Sequence, residues 1–502
     1  MNRSIIRLFG VVILLFTVLI VWTSRWTVFD ATALQNNSLN KLEFFATEKI
    51  KRGRILADNG AALAESVRAG GGTWTRRYPY GSLFAQAVGY NVLSQGQRDG
   101  LEWSRASELL GKPTGLTSVF GSFNGGPKVG DDVHTTLDPK AQRLARQLVV
   151  YAQSHYMATA GSVVAIVPQT GAVKVMYSAP SYNDNDPSKC KFPGCSLVNY
   201  ATQAELPPGS TFKLVTTTAA LNSRKYTPDS VFNGNSPVTV SGHSLENDSN
   251  YSYGRVTLTK ALTDSINTVY APLGVTLGGS LMQEYMHRFG FYSVPPLDYP
   301  AKQMIASGER FYKGFCGNRL DTPKLVPVTS SCVDVGRTAI GQANLTVTPM
   351  QMAMVVSAIA NDGKLMEPRL TSKVVNTDGQ VVDSVRPQEY DQVMKPKIAA
   401  ELQQMMRDVV EEGTGTAANL EGLSIAGKTG TASTGLCEHG LPVNGNCPDG
   451  LPLDDAWFVG FPLNDPRIAV AVELTDIPNG YGGQFAAPIA AKVIQTLLGE
   501  KP

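Results

Sequence analysis

A serine and a lysine three residues apart are the first candidates for chemistry in this chain. Ser210 follows a Pro-Pro-Gly turn, and Lys213 lies one helical turn further on. Residues three apart lie on the same side of a helix, so the two side chains can meet. A desolvated lysine can remove the proton of a serine hydroxyl and make the oxygen a nucleophile. The pair therefore indicates covalent catalysis through Ser210, with Lys213 as the base.

Two further motifs follow along the chain. Ser265 and Asn267 form an S-x-N motif, and Lys428, Thr429 and Gly430 form a K-T-G motif. The order S-x-x-K, S-x-N, K-T-G is typical of serine enzymes that act on penicillins and cell-wall peptides. Each motif alone has an ordinary structural explanation, namely a helix cap, a turn and a solvated lysine. Their combination in this order is what predicts a catalytic site.

A second cation and a relay hydroxyl complete the expected chemistry around the base. Lys428, together with desolvation, would lower the pKa of Lys213. Ser265 can relay a proton to a leaving amine. Asn267 offers both a donor and an acceptor to a peptide backbone. These four side chains are therefore expected to surround the reacting bond.

The third motif supplies groups that suit the charges of a peptide substrate. Lys428 and Thr429 suit a carboxylate, and Gly430 would let substrate approach the strand edge closely. The backbone N–H groups of Ser210 and Thr431 would stabilise the oxyanion. The predicted site therefore has two sets of residues. They are the catalytic Ser210, Lys213 and Ser265, and the substrate-binding Asn267, Lys428, Thr429, Gly430 and Thr431.

An antiparallel sheet flanked by helices would bring these distant motifs together. A helix-compatible run extends from Thr211 to Leu221, directly after the nucleophile. Alternating and apolar patterns predict strands at 162–167, 172–178, 423–433, 456–461 and 468–474, and helices at 139–152, 397–412 and 486–499. Strands at both ends with helices between them indicate an α/β (α+β) fold with one mainly antiparallel sheet.

The first 25 residues differ in character from the rest. No charge occurs from Leu8 to Ser24, between Arg7 and Arg25, and twelve residues from Leu8 to Val21 are Leu, Ile, Val or Phe. Such a run favours membrane insertion by about 4–7 kcal/mol at most. We expect a single uncleaved anchor, with the N-terminus in the cytoplasm and the remaining chain outside. A cleaved signal peptide and a buried core helix are the alternatives.

Size and composition indicate an ordered protein of more than one domain. The 502 residues exceed what one ordinary domain needs. The formal net charge is +2 and 17% of residues are charged, which gives no support for nucleic-acid binding. The sequence has no C-x-x-C, H-E-x-x-H, P-loop or G-x-G-x-x-G motif that would indicate a metal or cofactor. The histidines have no catalytic context, and we expect neither a metal nor a cofactor.

The six cysteines occur as three sequence-local pairs, Cys190/Cys195, Cys316/Cys332 and Cys437/Cys447. Disulfides are permitted outside the cytoplasm. The case is best for Cys437 and Cys447, which would close a loop rich in Gly, Pro and Asn. Six separate buried thiols are the alternative, and the sequence alone does not choose among the connectivities.

The motifs resemble those of class B penicillin-binding proteins, the monofunctional D,D-transpeptidases of peptidoglycan synthesis. Nearly the whole chain takes part in this resemblance. The matching segments are 52–55, 58–60, 100–102 and 135–138 in the first part, and 207–213, 338–342, 348–349, 428–432 and 456–460 in the second. The compact N-terminal part is most similar to the penicillin-binding protein A subgroup of actinobacteria.

The resemblance implies four parts. They are a cytoplasmic tail at 1–7, a transmembrane anchor at 8–24, an N-terminal pedestal or dimerisation-type module at 25–155, and a β-lactamase-like, penicillin-recognising transpeptidase domain at 156–502. It implies that Ser210 attacks the bond between two D-alanines of a stem peptide. An amine of a neighbouring stem then resolves the acyl-enzyme, and β-lactams acylate the same serine. A membrane glycan polymerase is the implied partner, because no glycosyltransferase domain fits before residue 150.

Four other functions share part of this signature. A D,D-carboxypeptidase differs only in using water as the acceptor, and the anchor and pedestal favour transpeptidation. A class A β-lactamase would carry an E-x-x-L-N loop between the second and third motifs, and none is found. A non-catalytic β-lactam-binding scaffold would not need to keep Ser210 and Lys213. A sensor would need several spanning helices. The segment 434–453, with its cysteine pair, lies outside the family signature.

Overall fold

A five-stranded antiparallel sheet carries the K-T-G motif at one edge. The structure, a computed structural model, describes residues 3–25, 48–92, 97–111, 129–438, 441, 447 and 450–499. The strand order is Ile425–Cys437, Pro452–Pro462, Ala469–Pro478, Ala160–Ile166 and Val173–Ala179. The predicted antiparallel sheet is confirmed. We call its first strand, Ile425–Cys437, the K-T-G strand.

The K-T-G strand and its neighbour are longer than predicted. They continue together as a hairpin, with Cys437 opposite Pro452. Part of the segment 434–453 is therefore regular sheet, and most of its tip lies outside the described residues. The disulfide Cys437–Cys447 closes this hairpin. The other two sequence-local pairs, Cys190–Cys195 and Cys316–Cys332, are also disulfides, so the alternative of six thiols is wrong.

Helices cover both faces of this sheet, because alternate residues of its central strands belong to two different hydrophobic cores. On one face lie Lys213–Asn222, Asn267–Arg288, Pro349–Ala360 and Pro396–Glu411, and on the other lie Pro139–His155 and Ala487–Leu497. Asp138 caps the helix Pro139–His155 by accepting from the N–H groups of Lys140 and Ala141 at 2.8 and 3.0 Å. The helix Pro349–Ala360 is buried on all sides, which explains why no amphipathic pattern marked it.

A second sheet forms the pedestal and takes strands from both parts of the chain. Its order is Val381–Ser384, Thr371–Val375, Asp132–Thr135, Ile55–Leu56, Ala62–Arg68 and Trp74–Arg77. The first two of these strands come from the predicted domain 156–502. The pedestal sheet is therefore continuous with the catalytic part through backbone hydrogen bonds, and the domain division at 155/156 stays a prediction.

A buried ion pair network holds the first pedestal motif in place. Glu102 Oε2 accepts from Arg52 Nη2 at 2.8 Å, and Glu102 Oε1 accepts from Arg76 Nε. All three side chains are at most 3% exposed. Burial opposes ionisation of Glu102, but the two arginines lower its pKa overall. Removing one partner would leave a buried charge unpaired, which makes this network a fixed element of the pedestal.

Shorter elements connect these layers. The short helices are Ala85–Val88, Gly100–Ser104, Ala106–Leu109, Tyr200–Gln203, Leu258–Thr263, Val335–Thr338 and Gly482–Phe485. The short strands are Asn91–Val92, Gln97–Arg98, Val231–Asn233, Val238–Val240, His243–Leu245, Arg255–Thr257, Gly308–Phe311, Lys324–Leu325, Leu345–Thr346, Lys364–Met366 and Glu389–Gln392.

The N-terminal helix Arg3–Ser24 is long and apolar enough to cross a membrane over Arg7–Ser24. It is the one such helix among the described residues, and none of that window is buried against the rest of the chain. The hydroxyl of Thr17 donates to the carbonyl oxygen of Ile13 at 2.9 Å, which satisfies a polar group that lipid could not. A buried core helix is therefore excluded.

Candidate active site

The nucleophile turn, Gly209–Phe212, is a 3₁₀ helix that leads into the α-helix Lys213–Asn222. The α-helix begins two residues later than the expected Thr211. Thr211 Oγ1 donates to the carbonyl oxygen of Pro208 at 2.7 Å and closes the turn. Gly209 has a φ of 51°, a left-handed conformation that a side chain would disfavour. The turn places Ser210 in the wall of a cleft of about 920 Å³.

Lys213 is fully buried and binds the second motif. Its Nζ lies 2.7 Å from the carbonyl oxygen of Ser265 and 2.8 Å from Asn267 Oδ1. The same Nζ lies 3.2 Å from Ser265 Oγ and 5.4 Å from the centroid of the Tyr270 ring. Burial first, and the Lys428 cation second, lower the pKa of Lys213 well below that of an ordinary lysine. Lys213 can therefore act as a neutral amine.

Ser265 lies between the two lysines in a strained backbone conformation. Its φ is 59°, in the left-handed region that residues other than glycine seldom adopt. In this conformation both its carbonyl oxygen and its hydroxyl reach Lys213. Lys428 Nζ donates to the same hydroxyl at 3.1 Å. The hydroxyl of Ser265 therefore bridges the two amines, as expected of a proton relay.

Lys428 is also fully buried, on the K-T-G strand. Its Nζ donates to the carbonyl oxygen of Thr429 at 2.9 Å, and burial lowers its pKa to about 7. Lys213 experiences the Lys428 cation in addition to burial, so Lys213 loses its proton first. The two environments thus give the lysines different protonation states, in which Lys213 is the neutral base and Lys428 is the cation.

The number of N–H groups on Lys213 shows which of its contacts can take up a hydroxyl proton. A neutral lysine amine has two N–H groups and one lone pair, and two oxygen acceptors lie within 2.8 Å of Lys213 Nζ. The lone pair is then left for a hydroxyl proton. The hydroxyl of Ser265 is one such partner at 3.2 Å. Ser210 and Lys213 are not hydrogen-bonded to each other, since Ser210 Oγ makes no hydrogen bond within the described chain.

The comparisons with known proteins agree with this arrangement. Residues 161–495 match the penicillin binding protein transpeptidase domain, and residues 52–133 match the penicillin binding protein A dimerisation domain. The chain is 30% identical over 523 residues to peptidoglycan D,D-transpeptidase PbpA of Mycolicibacterium smegmatis, with 100% of both chains covered. The chain belongs to the penicillin-binding protein transpeptidase family.

Solved structures of family members have the same fold. An imipenem acyl-enzyme complex of penicillin-binding protein A from Mycobacterium tuberculosis has a TM-score of 0.75 and 27% identity, and covers 90% of this chain and 100% of that one. The penicillin G acyl-enzyme complex of the same protein has a TM-score of 0.72 and 28% identity, with 89% and 99% covered. The pedestal and the catalytic sheet of this penicillin-binding protein are thus both features of the family.

The threonines of the third motif line the cleft of this penicillin-binding protein together with residues that no sequence motif marked. Thr429 Oγ1 lies 2.6 Å from Thr414 Oγ1, and Thr431 Oγ1 accepts from the backbone N–H of Gly482 at 3.4 Å. Thr414 and Gly482 come close only through the fold. The cleft is also lined by several acidic side chains, Glu246, Asp248, Asp264, Glu412 and Asp454.

The K-T-G glycine also packs closely against protein, and its expected role in the approach of substrate stays a prediction. A Cβ at Gly430 would lie 2.8 Å from the carbonyl oxygen of Pro208, 2.9 Å from Thr211 Cγ2 and 3.0 Å from Trp457 Cβ. Each distance is shorter than normal contact. The absence of a side chain therefore lets the K-T-G strand lie directly against the nucleophile turn.

Replacing Gly430 by Ala is expected to slow acylation strongly while the fold persists. The added methyl group pushes the strand away from the nucleophile turn, and overpacking of this kind costs about 1–3 kcal/mol. The rate of labelling by a fluorescent penicillin should fall by about tenfold or more. Gly194→Ala is the matched control, because a Cβ there meets no atom within 4 Å. Unchanged labelling in Gly430→Ala would contradict the close contact.

Proposed function

We propose that the chain is a peptidoglycan D,D-transpeptidase in which Ser210 forms an acyl-enzyme with a stem peptide. The observation that supports this most is the bridge from Lys213 through the Ser265 hydroxyl to Lys428, at 3.2 and 3.1 Å. It links a neutral base and a cation, both buried, through the hydroxyl of Ser265, and Ser265 lines the same cleft as Ser210. The relatives that carry this activity in their names match the chain over its whole length.

In the first half-reaction, Ser210 Oγ attacks the carbonyl carbon between the two D-alanines and its proton passes to Lys213. The backbone N–H groups of Ser210 and Thr431 stabilise the oxyanion. The carbon–nitrogen bond then breaks, and the leaving D-alanine amine takes a proton through Ser265. An ester on Ser210 remains. Lys428 and Thr429 hold the carboxylate of the leaving residue until it departs.

In the second half-reaction, the amine of a neighbouring stem attacks the ester carbonyl. Lys213 accepts the amine's proton, the carbon–oxygen bond breaks, and Ser210 Oγ regains a proton. The product is a new peptide cross-link. Asn267 orients the donor backbone, with its Oδ1 held by Lys213 at 2.8 Å. A β-lactam follows the first half-reaction, and because its leaving group stays attached, the ester on Ser210 persists.

The acceptor decides between transpeptidase and D,D-carboxypeptidase, which use the same residues. The full-length protein is incubated with a D-Ala-D-Ala peptide, with and without an acceptor amine. We expect D-alanine release to increase with the amine and a cross-linked product to form. Intact-mass analysis after penicillin treatment, with peptide mapping, should place one adduct on Ser210. Full release with water alone and no cross-link would favour a carboxypeptidase. No adduct at all would favour a non-catalytic scaffold.

The helix Arg3–Ser24 is proposed to anchor the catalytic domain outside the cytoplasmic membrane, beside a membrane glycan polymerase. The support is its length, its apolar composition and the basic residues near its N-terminal end. Protease added outside intact spheroplasts should digest the catalytic domain. Protection from that protease would reverse the proposed topology.

A further inference from the structure

A second cleft continues the catalytic cleft along the K-T-G strand. It has a volume of about 490 Å³ and shares Gln342 and Ser433 with the catalytic cleft. Its walls include Pro207, just before the nucleophile turn, and Thr434, on the K-T-G strand. Ser433 lies two residues beyond Thr431, about 6.6 Å along a strand. A substrate bound at the nucleophile can therefore extend a side chain into this space.

The second cleft is acidic. Asp455 and Asp476 line it, and Glu205 lies at its border. Glu205 is paired with Arg310, Oε1 to Nη1 at 3.2 Å, but neither aspartate has a basic partner in the part of the chain that the structure describes. Asp476 Oδ2 accepts only the hydroxyl of Thr159, at 2.8 Å. The cleft thus holds carboxylates without protein counter-charges.

Asp455 is the central group of this cleft. It is 1% exposed, and its Oδ1 accepts from the backbone N–H of Asp476 at 3.1 Å. Its other carboxyl oxygen makes no hydrogen bond with any described residue and faces the cleft that Asp455 lines. A largely desolvated carboxylate with one open acceptor oxygen is stabilised by a hydrogen-bond donor that a ligand brings into the cleft.

A second buried carboxyl, that of Glu473, interacts with Asp455. Glu473 is fully buried, its Oε1 accepts from Thr475 Oγ1 at 2.7 Å, and its Oε2 has no partner among the described residues. Burial raises the pKa of Asp455 to about 7, and the Asp476 and Asp454 carboxylates add to the shift. Burial first, and the Asp455 carboxylate second, raise the pKa of Glu473. A cation supplied from outside would favour the ionised form of Asp455 and bind to it.

We propose that the second cleft is a subsite for a primary ammonium group of the peptide substrate, held by Asp455 and Asp476. The inference rests on the proposed function for the substrate class. The K-T-G strand is an edge strand of its sheet, so a peptide can pair along its free edge. A lysine-length side chain one or two residues from the reacting carbonyl then reaches Asp455. The ammonium group can belong to the donor peptide, which acylates Ser210, or to the acceptor amine compound, and the two arms of the experiment distinguish these sources.

The donor arm measures binding without turnover. The full-length Ser210→Ala protein is titrated with N-acetyl-Lys-D-Ala-D-Ala and with the same peptide acetylated on its side-chain amine. We expect the free amine to bind about tenfold more tightly, as one charge-assisted hydrogen bond gives. Asp455→Asn and Asp476→Asn should each reduce this ratio towards one. Asp465→Asn, at an exposed turn where Asp465 pairs with Arg467, should leave the ratio unchanged.

The acceptor arm uses the unmutated serine. The protein acylated by a donor without a side-chain amine is offered D-lysine or D-norleucine as acceptor, and the two products are compared. The ammonium belongs to the acceptor if two results are found together. D-lysine is used in preference to D-norleucine, and Asp455→Asn removes this preference. Acetylation of the donor peptide's side-chain amine has no effect on its binding. The subsite is rejected if the free and the acetylated peptide bind equally well and D-lysine and D-norleucine are used equally well. A preference that survives both aspartate substitutions overturns it as well.

Penicillin labelling of Ser210 distinguishes failure of the subsite from failure of the proposed function. Absence of labelling rejects the proposed function, while the donor arm still tests the subsite because it needs no turnover. Normal labelling with no ammonium preference rejects the subsite alone. Thermal melting of each variant shows whether it is folded. Asp476→Asn is the less buried substitution and gives a result if Asp455→Asn does not fold.

Discussion

Replacing Ser210 by Ala is expected to abolish covalent labelling by a fluorescent penicillin. The serine oxygen is the atom that becomes the ester, and removal of a catalytic nucleophile typically costs about 10⁴-fold or more in rate. Ser210 Oγ makes no hydrogen bond within the described chain, so its loss leaves no buried partner unsatisfied. The melting temperature should therefore stay close to that of the unmutated protein.

The control for this experiment is Ser154→Ala, which removes an exposed hydroxyl from the helix Pro139–His155. Its labelling should equal that of the unmutated protein. Gel fluorescence gives the amount of adduct, and intact mass gives its stoichiometry. Adduct formation on the Ser210→Ala protein would show that another side chain is the nucleophile, and the reading of the whole cleft would change with it.

The sequence was sufficient to predict that the three motifs meet. Ser210 and Lys213 are close in the chain, so local helical spacing relates them. The three motifs in this order indicate one site, although each motif alone has an ordinary structural explanation. The strand that carries Lys428 and the strands beside it have apolar residues either at alternate positions or in a continuous run. Such a pattern results from burial of one or both faces of the sheet, so it can be read from the sequence. Three of the four antiparallel pairings join strands that follow each other along the chain, whereas the pairing of Ala469–Pro478 with Ala160–Ile166 joins segments more than 300 residues apart and depends on the tertiary fold.

Other features depend on contacts that no local pattern records. The positive φ of Ser265 occurs together with the binding of its carbonyl oxygen and its hydroxyl by Lys213, a contact between distant segments. The pairing of Thr371–Val375 with Asp132–Thr135 joins segments more than 200 residues apart. The close contact of Gly430 with Pro208, Thr211 and Trp457 was not predicted, because it joins segments that only the fold brings together. Each of these is a tertiary effect that overrides a local expectation.

Replacing Lys213 by Met is expected to reduce acylation by about 10³-fold, since general bases contribute about 10²–10⁴-fold. Lys213→Arg should be as inactive, because a guanidinium stays protonated and cannot accept the serine proton. Lys225→Met, at an exposed lysine after the same helix, is the control. Penicillin labelling rates measure all three. Substantial activity in Lys213→Arg would mean that positive charge, and not proton transfer, is what the position supplies.

The free energy of unfolding shows whether a low acylation rate in Lys213→Met comes from loss of the base or from misfolding. The folded-state pKa of Lys213 is lowered, so the unfolded chain binds a proton that the native protein lacks at pH values between that pKa and about 10.4. The free energy of unfolding of the unmutated protein therefore rises with pH across this range. Lys213→Met removes this contribution, and its unfolding free energy should rise less steeply. Methionine also leaves the carbonyl oxygen of Ser265 and Asn267 Oδ1 without their buried donor, so the melting temperature of the variant is measured together with its labelling rate.

The pH dependence of acylation tests the division of labour between the two lysines. The rate should rise as Lys213 loses its proton, through a pKa well below that of an ordinary lysine. It should fall again as Lys428 loses its proton, through a pKa of about 7, for substrates whose carboxylate needs that cation. Lys428→Met removes the cation that lowers the pKa of Lys213, so the rising limb must move to higher pH and the falling limb must disappear. A rising limb that stays in place would mean that burial alone sets the base, and that Lys428 acts only on the substrate.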